Sequence, residues 1–509
     1  MKKKIRSVML TIVILACFLL VAFITVKDLR SKGMNATDFM YARFGRHRIN
    51  VFESEGEYYL FLPSFLNKED LKLSHEAQKH EINYLRSENI ASVFVTTRSQ
   101  SLDAILADKD YKESGKITVF DKDGNVDSSL GLEYIKGRGN YSWNNWDKKP
   151  FKIKLEKEAS VLGLGNGKDY ALISNASDAT LIRNAIARDL EEAVEVPFAG
   201  EGRFVDLYIN EDYMGNYFLC PSIEIGTERV NITDIDISQN RIVSKLNGDA
   251  LSPYETPLLK GWNIPDGTSD ITGGYLVERE FGDRYELEYQ YFKNGFVTSS
   301  GEHYIVISPQ YCSKNEINYI SQFFEETEKE ILGDEPLGTI VDIDSFAKRY
   351  LVEEVIKNYD GGVSSCYYYK DSDSIDGKLY AGPGWDFDMS LGNYLEWMEY
   401  YDEDATGITR LYLSEHSSIY YRELAQNEAF ISVVKGYYRD KALPFMQYLL
   451  NEGIDTYEKE LMASAKMDSI RWKEMYAENG YVSGDHNEYE KLKSFIRERL
   501  EFLNEESTT

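Results

Sequence analysis

A helix followed by a strand hairpin is predicted late in the chain, with carboxylates just before the first strand and at the end of the second. Apolar residues at helical spacing predict the helix over residues 345–358. Strands are predicted at CYYYKD and KLYAGPGWDF, on either side of the turn DSDSIDG. Asp360 then lies near Asp386 and Asp388, which suits phosphoryl transfer, where one carboxylate orients the acceptor hydroxyl and another holds a divalent cation. Because Asp is common in turns, the alternative is a set of solvated turn residues.

A second stretch, KKPFKIKL at residues 148–155, predicts a half-buried strand. Its apolar residues alternate with Lys152 and Lys154, so the two lysines share the opposite face. In protein kinases a strand lysine contacts the phosphates of the nucleotide. Both lysines are therefore candidates for that contact. The alternative is that they form the solvated face of an amphipathic strand.

Eight segments of the chain, taken in order, resemble the CotH kinase family, whose members are atypical kinases first described from spore coats. The segments are RGNYSW (138–143), KKPFKIKL (148–155), LGLGNGKDYALISNASDATLIRNAIARDL (162–190), VDLYINEDYMGNYFL (205–219), IEIGTERVNI (223–232), GGYLVERE (273–280), NYDGG (358–362) and GPGWDFDMSLGN (382–393). The resemblance spans about residues 131–500. It implies a kinase-like fold and ATP-dependent phosphorylation of Ser in protein substrates, which would be surface or coat proteins.

The resemblance also implies roles for the hairpin carboxylates. Asp360 is the expected catalytic residue that orients the acceptor hydroxyl. Asp386, assisted by Asp388, is expected to bind Mg²⁺ or another divalent cation that bridges the nucleotide phosphates. Arg183 and Asn184 belong to one of the matching segments, and they form either a polar helix face or a support for the phosphate region.

Four further residues are assigned to ATP. Lys154 is the first choice for the phosphate lysine and Lys152 the second, although both lie on the same strand face and the sequence alone does not separate them. Arg138 and Asn140 are expected to help close the nucleotide site. The family has no Gly-rich phosphate loop of the usual kinase form, and the sequence contains none.

One departure from the family pattern affects the expected activity. Pro221 stands where the family usually has an acidic residue, and Glu224 or Glu278 could take over its pairing with the lysine. A kinase-fold scaffold with weak or no turnover therefore stays an alternative. A surface adhesion or envelope-assembly protein is the other alternative.

The N-terminus predicts a membrane segment. MKKKIR precedes residues 7–26, which are uncharged and long enough to span a bilayer as one helix. An uncleaved single-pass anchor is expected, with the large domain outside the cell and the basic flank in the cytoplasm. A cleaved signal peptide is the competing interpretation.

The expected fold class is α+β, with an atypical protein-kinase-like core, a small β-rich N-terminal domain and a single transmembrane helix. The expected organisation is a cytoplasmic flank (1–6), an anchor (7–26), a stalk (27–40), a β-rich domain (41–130), a CotH kinase-like domain (131–500, mostly helical over 401–500) and a tail (501–509).

Charge and residue types exclude several functions. The formal net charge of -28 argues against nucleic-acid binding, because phosphate backbones require Lys and Arg patches. The four cysteines and six histidines show no metal-ligand spacing, which argues against a zinc site. The β-rich residues 41–130 carry no catalytic signal and predict a spacer or a binding module.

Overall fold

The computed structural model describes residues 40–246, 251–333, 336–393, 405–407 and 418–508. Within these ranges the chain is a mixed α+β protein with three sheets, one of which closes into a barrel. The helices cover the third sheet and the outside of the barrel.

The first sheet consists of five short strands. They are β1 (Tyr41–Phe44), β2 (His47–Ser54), β3 (Glu57–Leu62), β4 (Lys72–Leu73) and β5 (Ile82–Arg86). Their order is β4-β1-β2-β3-β5, and β3 and β5 run parallel. The ring of Phe61 lies 4.9 Å from that of Tyr213 and packs this sheet against the next one.

The second sheet is a closed barrel in the order β10-β12-β11-β6-β7-β8-β9. Its strands are β6 (Ala91–Thr97), β7 (Glu113–Phe120), β8 (Val126–Gly137), β9 (Phe151–Ala159), β10 (Gly167–Ile173), β11 (Arg203–Ile209) and β12 (Asp212–Pro221). Phe151, Ile153 and Leu155 are fully buried inside it, as the alternation predicts. The turn between β11 and β12 has Asn210 and Glu211 at positive φ, which matches the twist of a tight hairpin.

The barrel corrects the predicted fold class. β6 and β7 lie within the residues predicted as a small separate β-rich domain. However, β6 pairs with β11 in parallel, and β7 joins β6 to β8. A parallel pair links residues far apart in sequence, so the strand pattern alone does not reveal it. The chain is therefore a mixed α+β protein with several sheets, and β6 and β7 belong to its barrel and not to a small separate β-rich domain.

The third sheet has seven strands in the order β13-β14-β16-β17-β15-β18-β19. They are β13 (Pro253–Glu255), β14 (Leu259–Trp262), β15 (Tyr275–Glu280), β16 (Gly295–Val297), β17 (His303–Ser308), β18 (Cys366–Lys370) and β19 (Leu379–Ala381). β18 and β19 form the predicted hairpin, with Tyr368 opposite Ala381.

The helices lie between and after these strands. They are α1 (Asp103–Ala107), α2 (Tyr141–Asn145), α3 (Arg183–Ala193), α4 (Asp236–Val243), α5 (Gly282–Glu288), α6 (Lys314–Ile331), α7 (Ile343–Ile356), α8 (Ile419–Leu424), α9 (Glu428–Tyr437), α10 (Leu443–Tyr448), α11 (Ile454–Arg471), α12 (Lys473–Glu478) and α13 (His486–Thr508). The largest core contains Ile186 of α3, Phe346 and Val355 of α7 and Tyr368 of β18, all fully buried. It fixes α3 and α7 beside the hairpin.

The structure also corrects the predicted membrane anchor. In the part of the chain that is described, no helix is long and apolar enough to cross a membrane. The single-pass anchor and the placement derived from it are therefore not supported. The span at residues 7–26, on which the prediction rested, lies outside the described residues.

A buried polar network joins the barrel to α11. Lys148 Nζ lies 2.6 Å from Asp468 Oδ1, and both side chains are fully buried. Asp206 Oδ1 accepts hydrogen bonds from Tyr213 Oη (3.0 Å) and Ser464 Oγ (2.6 Å). Burial raises the pKa of Asp206 to about 7, and the nearby Asp468 also raises it. Asp206 is therefore partly protonated in the folded state near neutral pH.

This shift predicts a stability change with pH. Because the pKa of Asp206 is higher in the folded state, folding takes up a proton between about pH 4 and about pH 7. The favourable contribution is complete below about pH 4 and is lost as the pH rises through about 7. In Asp206→Asn, the fall in unfolding free energy between pH 5 and pH 8 should be smaller by on the order of 2 kcal/mol. Urea unfolding of both proteins at the two pH values measures the difference. An equal fall in unfolding free energy in the two proteins would contradict the assignment.

Candidate active site

Two turns at the open end of the β18–β19 hairpin carry the candidate carboxylates. α7 ends at Ile356, and Lys357 follows in the left-handed conformation (φ 48°), which turns the chain towards Asp360. Asp360 lies in the turn before β18, and its carbonyl accepts from Val363 N (2.9 Å). Asp386 lies in the turn after β19 with φ 66°, a rare backbone conformation for a residue with a side chain.

Direct backbone contacts hold the two turns together. Tyr359 N donates to Met389 O (2.9 Å), and Leu391 N donates to Ile356 O (2.8 Å). The segment that precedes Asp360 is therefore bonded to the segment that follows Asp386. The helix and hairpin predicted from the sequence bring the two turns to the same place.

Arg183 and Asn184 support the turn that contains Asp386. Arg183 Nε donates to Ser390 O (3.0 Å), and Asn184 Oδ1 accepts from Phe387 N (3.3 Å). Both side chains are buried. They are thus not a solvated helix face, and they support the candidate cation turn directly.

Asp386 and Asp388 lie close enough to affect each other. Burial and, to a smaller extent, the negative charge of Asp386 raise the pKa of Asp388 to about 7. Ser177 Oγ donates to Asp388 Oδ2 (3.1 Å), which favours the charged form. Two neighbouring carboxylates of this kind are stabilised in their ionised form by a cation.

Two glutamates of β15, the strand next to β18, lie near the two turns. Burial raises the pKa of Glu278 to about 7, with Asp386 among the charges that act on it. Burial also raises the pKa of Glu280 well above its usual range, and Asp360 is among its neighbours. Arg284 of α5 lies 3.4 Å from Glu280 and offsets part of this negative charge. Asp386 is therefore close enough to affect Glu278, and Asp360 is close enough to affect Glu280.

Arg138 and Asn140 lie at the edge of the same region. The guanidinium of Arg138 lies 5.2 Å from the centre of the Trp385 ring, and that of Arg188 also lies 5.2 Å from it. Asn140 Nδ2 donates to Glu288 Oε1 (2.7 Å), which fixes the chain after β8 against α5. Trp385 and Arg188 had not been recognised as site residues from the sequence.

The two candidate lysines share one carboxylate partner on the outside of the barrel. Lys152 Nζ lies 2.9 Å from Asp169 Oδ1, and Lys154 Nζ lies 3.8 Å from Asp169 Oδ2. Lys152 is paired with Lys136 on one side and Ala171 on the other. About one third of each candidate side chain is exposed, so each ammonium group is accessible to a ligand.

A cavity of about 370 Å³ lies where β12 leaves the barrel, and neither lysine is part of its lining. It is lined by the turn at Gly163, by Pro221 and the residues after it, by Arg188 and by Gly384. Arg188 is 4% exposed and donates through Nη1 to Gly200 O (2.7 Å). The cavity therefore adjoins both the Trp385 stack and the turn that carries Asp386.

A family model described as CotH kinase protein matches residues 135–503. The chain belongs to the CotH kinase family. The match runs from β8 to α13, so it includes most of the barrel, the third sheet and the C-terminal helices. It confirms the resemblance found in the sequence. Among curated proteins, no relative matches this chain.

CotH membership indicates a kinase-fold protein, and in the structure the acidic residue that contacts the two lysines is Asp169 and not Glu224. Asp169 pairs with both lysines, whereas Glu224 accepts from Lys168 N (3.1 Å) and Asp169 N (3.2 Å). Glu224 therefore supports the strand that carries Asp169. Burial raises the pKa of Glu224, and the Asp169 charge adds to that effect. The segment GKDY contains Asp169, but its pairing across the strands is not evident from sequence spacing.

The donor set at Asp386 and Asp388 fits the cation that the CotH kinase family implies. Among the described residues, no group of three or more His, Cys, Asp or Glu side chains is placed to hold a metal ion. Mg²⁺ is usually bound through one or two carboxylates together with substrate phosphates and water, so it does not require such a group. Asp386 and Asp388 would hold the cation, with nucleotide phosphates supplying further oxygens.

Proposed function

We propose that this CotH-family chain transfers the terminal phosphate of ATP to Ser side chains of protein acceptors. The observation that carries the proposal is the placement of Asp360 and Asp386 on two mutually bonded turns. Phosphoryl transfer depends chiefly on positioning and charge stabilisation, and this arrangement provides both a carboxylate for the acceptor and a carboxylate pair for the cation. Ser-containing surface or coat proteins are the acceptors that the family suggests.

Asp360 would orient the acceptor hydroxyl and take its proton. The Ser oxygen forms a bond to the terminal phosphorus while the bond from that phosphorus to the bridging oxygen breaks, and ADP leaves with the released electron pair. A divalent cation would neutralise phosphate charge during this transfer. Asp360 is only half-buried, so a protein side chain can approach its carboxylate.

The nucleotide is proposed to lie between the barrel and the third sheet. Lys152 or Lys154, with Arg138, would contact the phosphates, and Asn140 would fix the neighbouring chain. The cavity at Pro221 would receive the base, because it is concave and adjoins both the Trp385 stack and the turn that carries Asp386. The proposed nucleotide site thus consists of the lysine face of β9, the Trp385 stack and the turn that carries Asp386.

A scaffold without turnover is the second candidate, and Pro221 is the observation that favours it. The Lys152–Asp169 pair weakens that argument because it supplies an acidic partner for the lysine. Metal-dependent binding of ATP separates the kinase and the scaffold from an adhesion protein. Labelled phosphate transferred to the chain itself or to co-expressed proteins separates the kinase from the scaffold.

The two lysines should differ in their effect on ATP binding. Lys152 is the better ordered by Asp169, because its Nζ lies 2.9 Å from that carboxylate and Lys154 Nζ lies 3.8 Å from it. We expect Lys152→Met to raise the dissociation constant of ATP about tenfold, a loss of about 1.4 kcal/mol. Lys154→Met should have a smaller effect, because its contact with Asp169 is longer. Calorimetric titration measures both.

Lys157→Met is the matched control, since Lys157 lies on the same strand and is exposed. It should bind ATP as the unchanged protein does. A larger loss in Lys154→Met than in Lys152→Met would reverse the assignment, and it would restore the order favoured by the sequence.

A further inference from the structure

Three buried charged residues connect α3 and α7 beneath the candidate active site. Arg349 contacts Glu191 through Nη1 and Glu353 through Nη2. The three side chains, called here the ion triad, are each at most 8% exposed. Desolvation makes a buried ionic group costly, and apolar residues of similar size often serve stability equally well. The ion triad therefore calls for a role beyond holding two helices together.

One end of the ion triad binds the turn that carries Asp386. Gly384 N donates to Glu191 Oε1 (2.8 Å). A Cβ atom at Gly384 would overlap both Arg349 Nη1 and Glu191 Oε1, so the backbone passes directly over the ion pair. Gly384 precedes Asp386 by two positions, and its location limits where that carboxylate lies.

The other end binds the turn that carries Asp360. Glu353 Oε2 accepts from Asn358 Nδ2 (2.9 Å), and Glu353 O accepts from Asn358 N (3.2 Å). Asn358 O in turn accepts from Gly361 N (3.2 Å), which closes the turn around Asp360. Burial raises the pKa of Glu353, whereas Arg349 and Asn358 favour its charged form.

We propose that the ion triad positions Asp360 and Asp386 relative to each other. This inference rests on the proposed function. One guanidinium orders two carboxylates, and each carboxylate holds one of the two turns by a directional hydrogen bond. The triad residues are positioning residues, because Glu191 and Glu353 contact Gly384 and Asn358 of the two turns and not the reacting groups. A shift of about 1 Å in such a geometry can lower turnover about 100-fold.

Two substitutions of Arg349 test the role in transfer. Arg349→Met removes the charge, and Arg349→Lys retains it without the planar fork that contacts two carboxylates at once. We expect kcat to fall about 30-fold or more in Arg349→Met and less in Arg349→Lys, in line with the positional effect above. The KM for ATP should rise by a smaller factor than kcat falls, because a shifted Asp386 weakens the cation contact while the proposed phosphate contacts of Lys152 and Arg138 are retained.

Arg499→Met is the control for lost stability. Arg499 of α13 is fully buried and pairs with Glu354 (2.7 Å) of α7, the helix that also carries Arg349. Its other hydrogen bonds go to Glu354 O, Ala405 O and Gly407 O. A fall in kcat of equal size in Arg499→Met and Arg349→Met, at matched folded fraction, would reduce the ion triad to a stabilising contact and overturn the proposal.

Hydrogen exchange provides a readout that does not require activity. In Glu191→Gln and Arg349→Met, the amides of residues 358–363 and 384–391 should lose protection together, while the barrel stays unchanged. Loss in only one segment, or in neither, would overturn the coupling. If the unaltered protein transfers no phosphate, the proposed function fails, and this exchange result still decides whether the ion triad positions both turns.

Discussion

Replacing Asp360 with Asn is expected to leave ATP binding nearly unchanged and to lower phosphate transfer about 100-fold or more, the usual effect of losing a general base. The amide keeps the size of the side chain and part of its hydrogen bonding, but it cannot take the acceptor proton. Asp360 lies in a turn fixed by Asn358 and Gly361, so the variant should retain the same backbone. Transfer to a Ser-rich protein and bound ATP are measured in parallel.

The comparison depends on separating turnover from folding. The unfolding temperature of Asp360→Asn should be close to that of the unchanged protein, because Asp360 is half-buried and lies outside the main core. Equal transfer by the two proteins would remove Asp360 from the catalytic role. No transfer by either, despite tight ATP binding, would favour the scaffold.

Asp386→Ala is expected to abolish Mg²⁺-dependent ATP binding while the fold is kept. The substitution removes one of the two adjacent carboxylates, and Asp388 alone leaves the cation with a single protein ligand. Ala at a backbone φ of 66° adds a small strain, so Asp386→Asn is measured beside it. Titration of ATP with and without Mg²⁺ gives the result.

Asp373→Ala is the matched control for this substitution. Asp373 lies in the turn at the closed end of the same hairpin, where it is exposed and pairs with Lys370. Its removal should leave Mg²⁺ dependence intact. An unchanged Mg²⁺ dependence in both Asp386 variants would exclude Asp386 as a cation ligand.

Local patterns in the sequence predict the parts of the site that depend on nearby residues. The alternation around Lys152, the helix before Asp360 and the hairpin after it follow from periodicity and turn composition, and the structure contains all three. The start of α3 is a local exception. Ser177 and Asp178 are residue types that cap helices, so the sequence predicts a helix start at one of them. The helix instead begins at Arg183, because Leu181 adopts positive φ and Asp178 accepts from Arg183 N (2.9 Å).

Contacts between distant segments account for what the sequence did not reveal. Asp169 meets the lysines across two strands, and Glu191 meets Arg349 from a different helix. Neither pair has a characteristic spacing, because pairing of this kind is decided by how sheets and helices pack. The barrel closes by the same kind of contact, between β6 and β11. Sequence motifs thus identified the candidate reacting groups, whereas the residues that contact them required the three-dimensional structure.

Transfer of labelled terminal phosphate from ATP to protein tests the central claim most directly. The full chain is incubated with ATP, Mg²⁺ and a Ser-rich protein, and a matched sample contains excess chelator. Phosphoserine is then identified in the acceptor or in the chain itself. The proposed kinase activity predicts Mg²⁺-dependent phosphoserine that is lost in Asp360→Asn. Absence of phosphoserine from a folded protein that binds ATP, or an equal amount with Asp360→Asn, would contradict it.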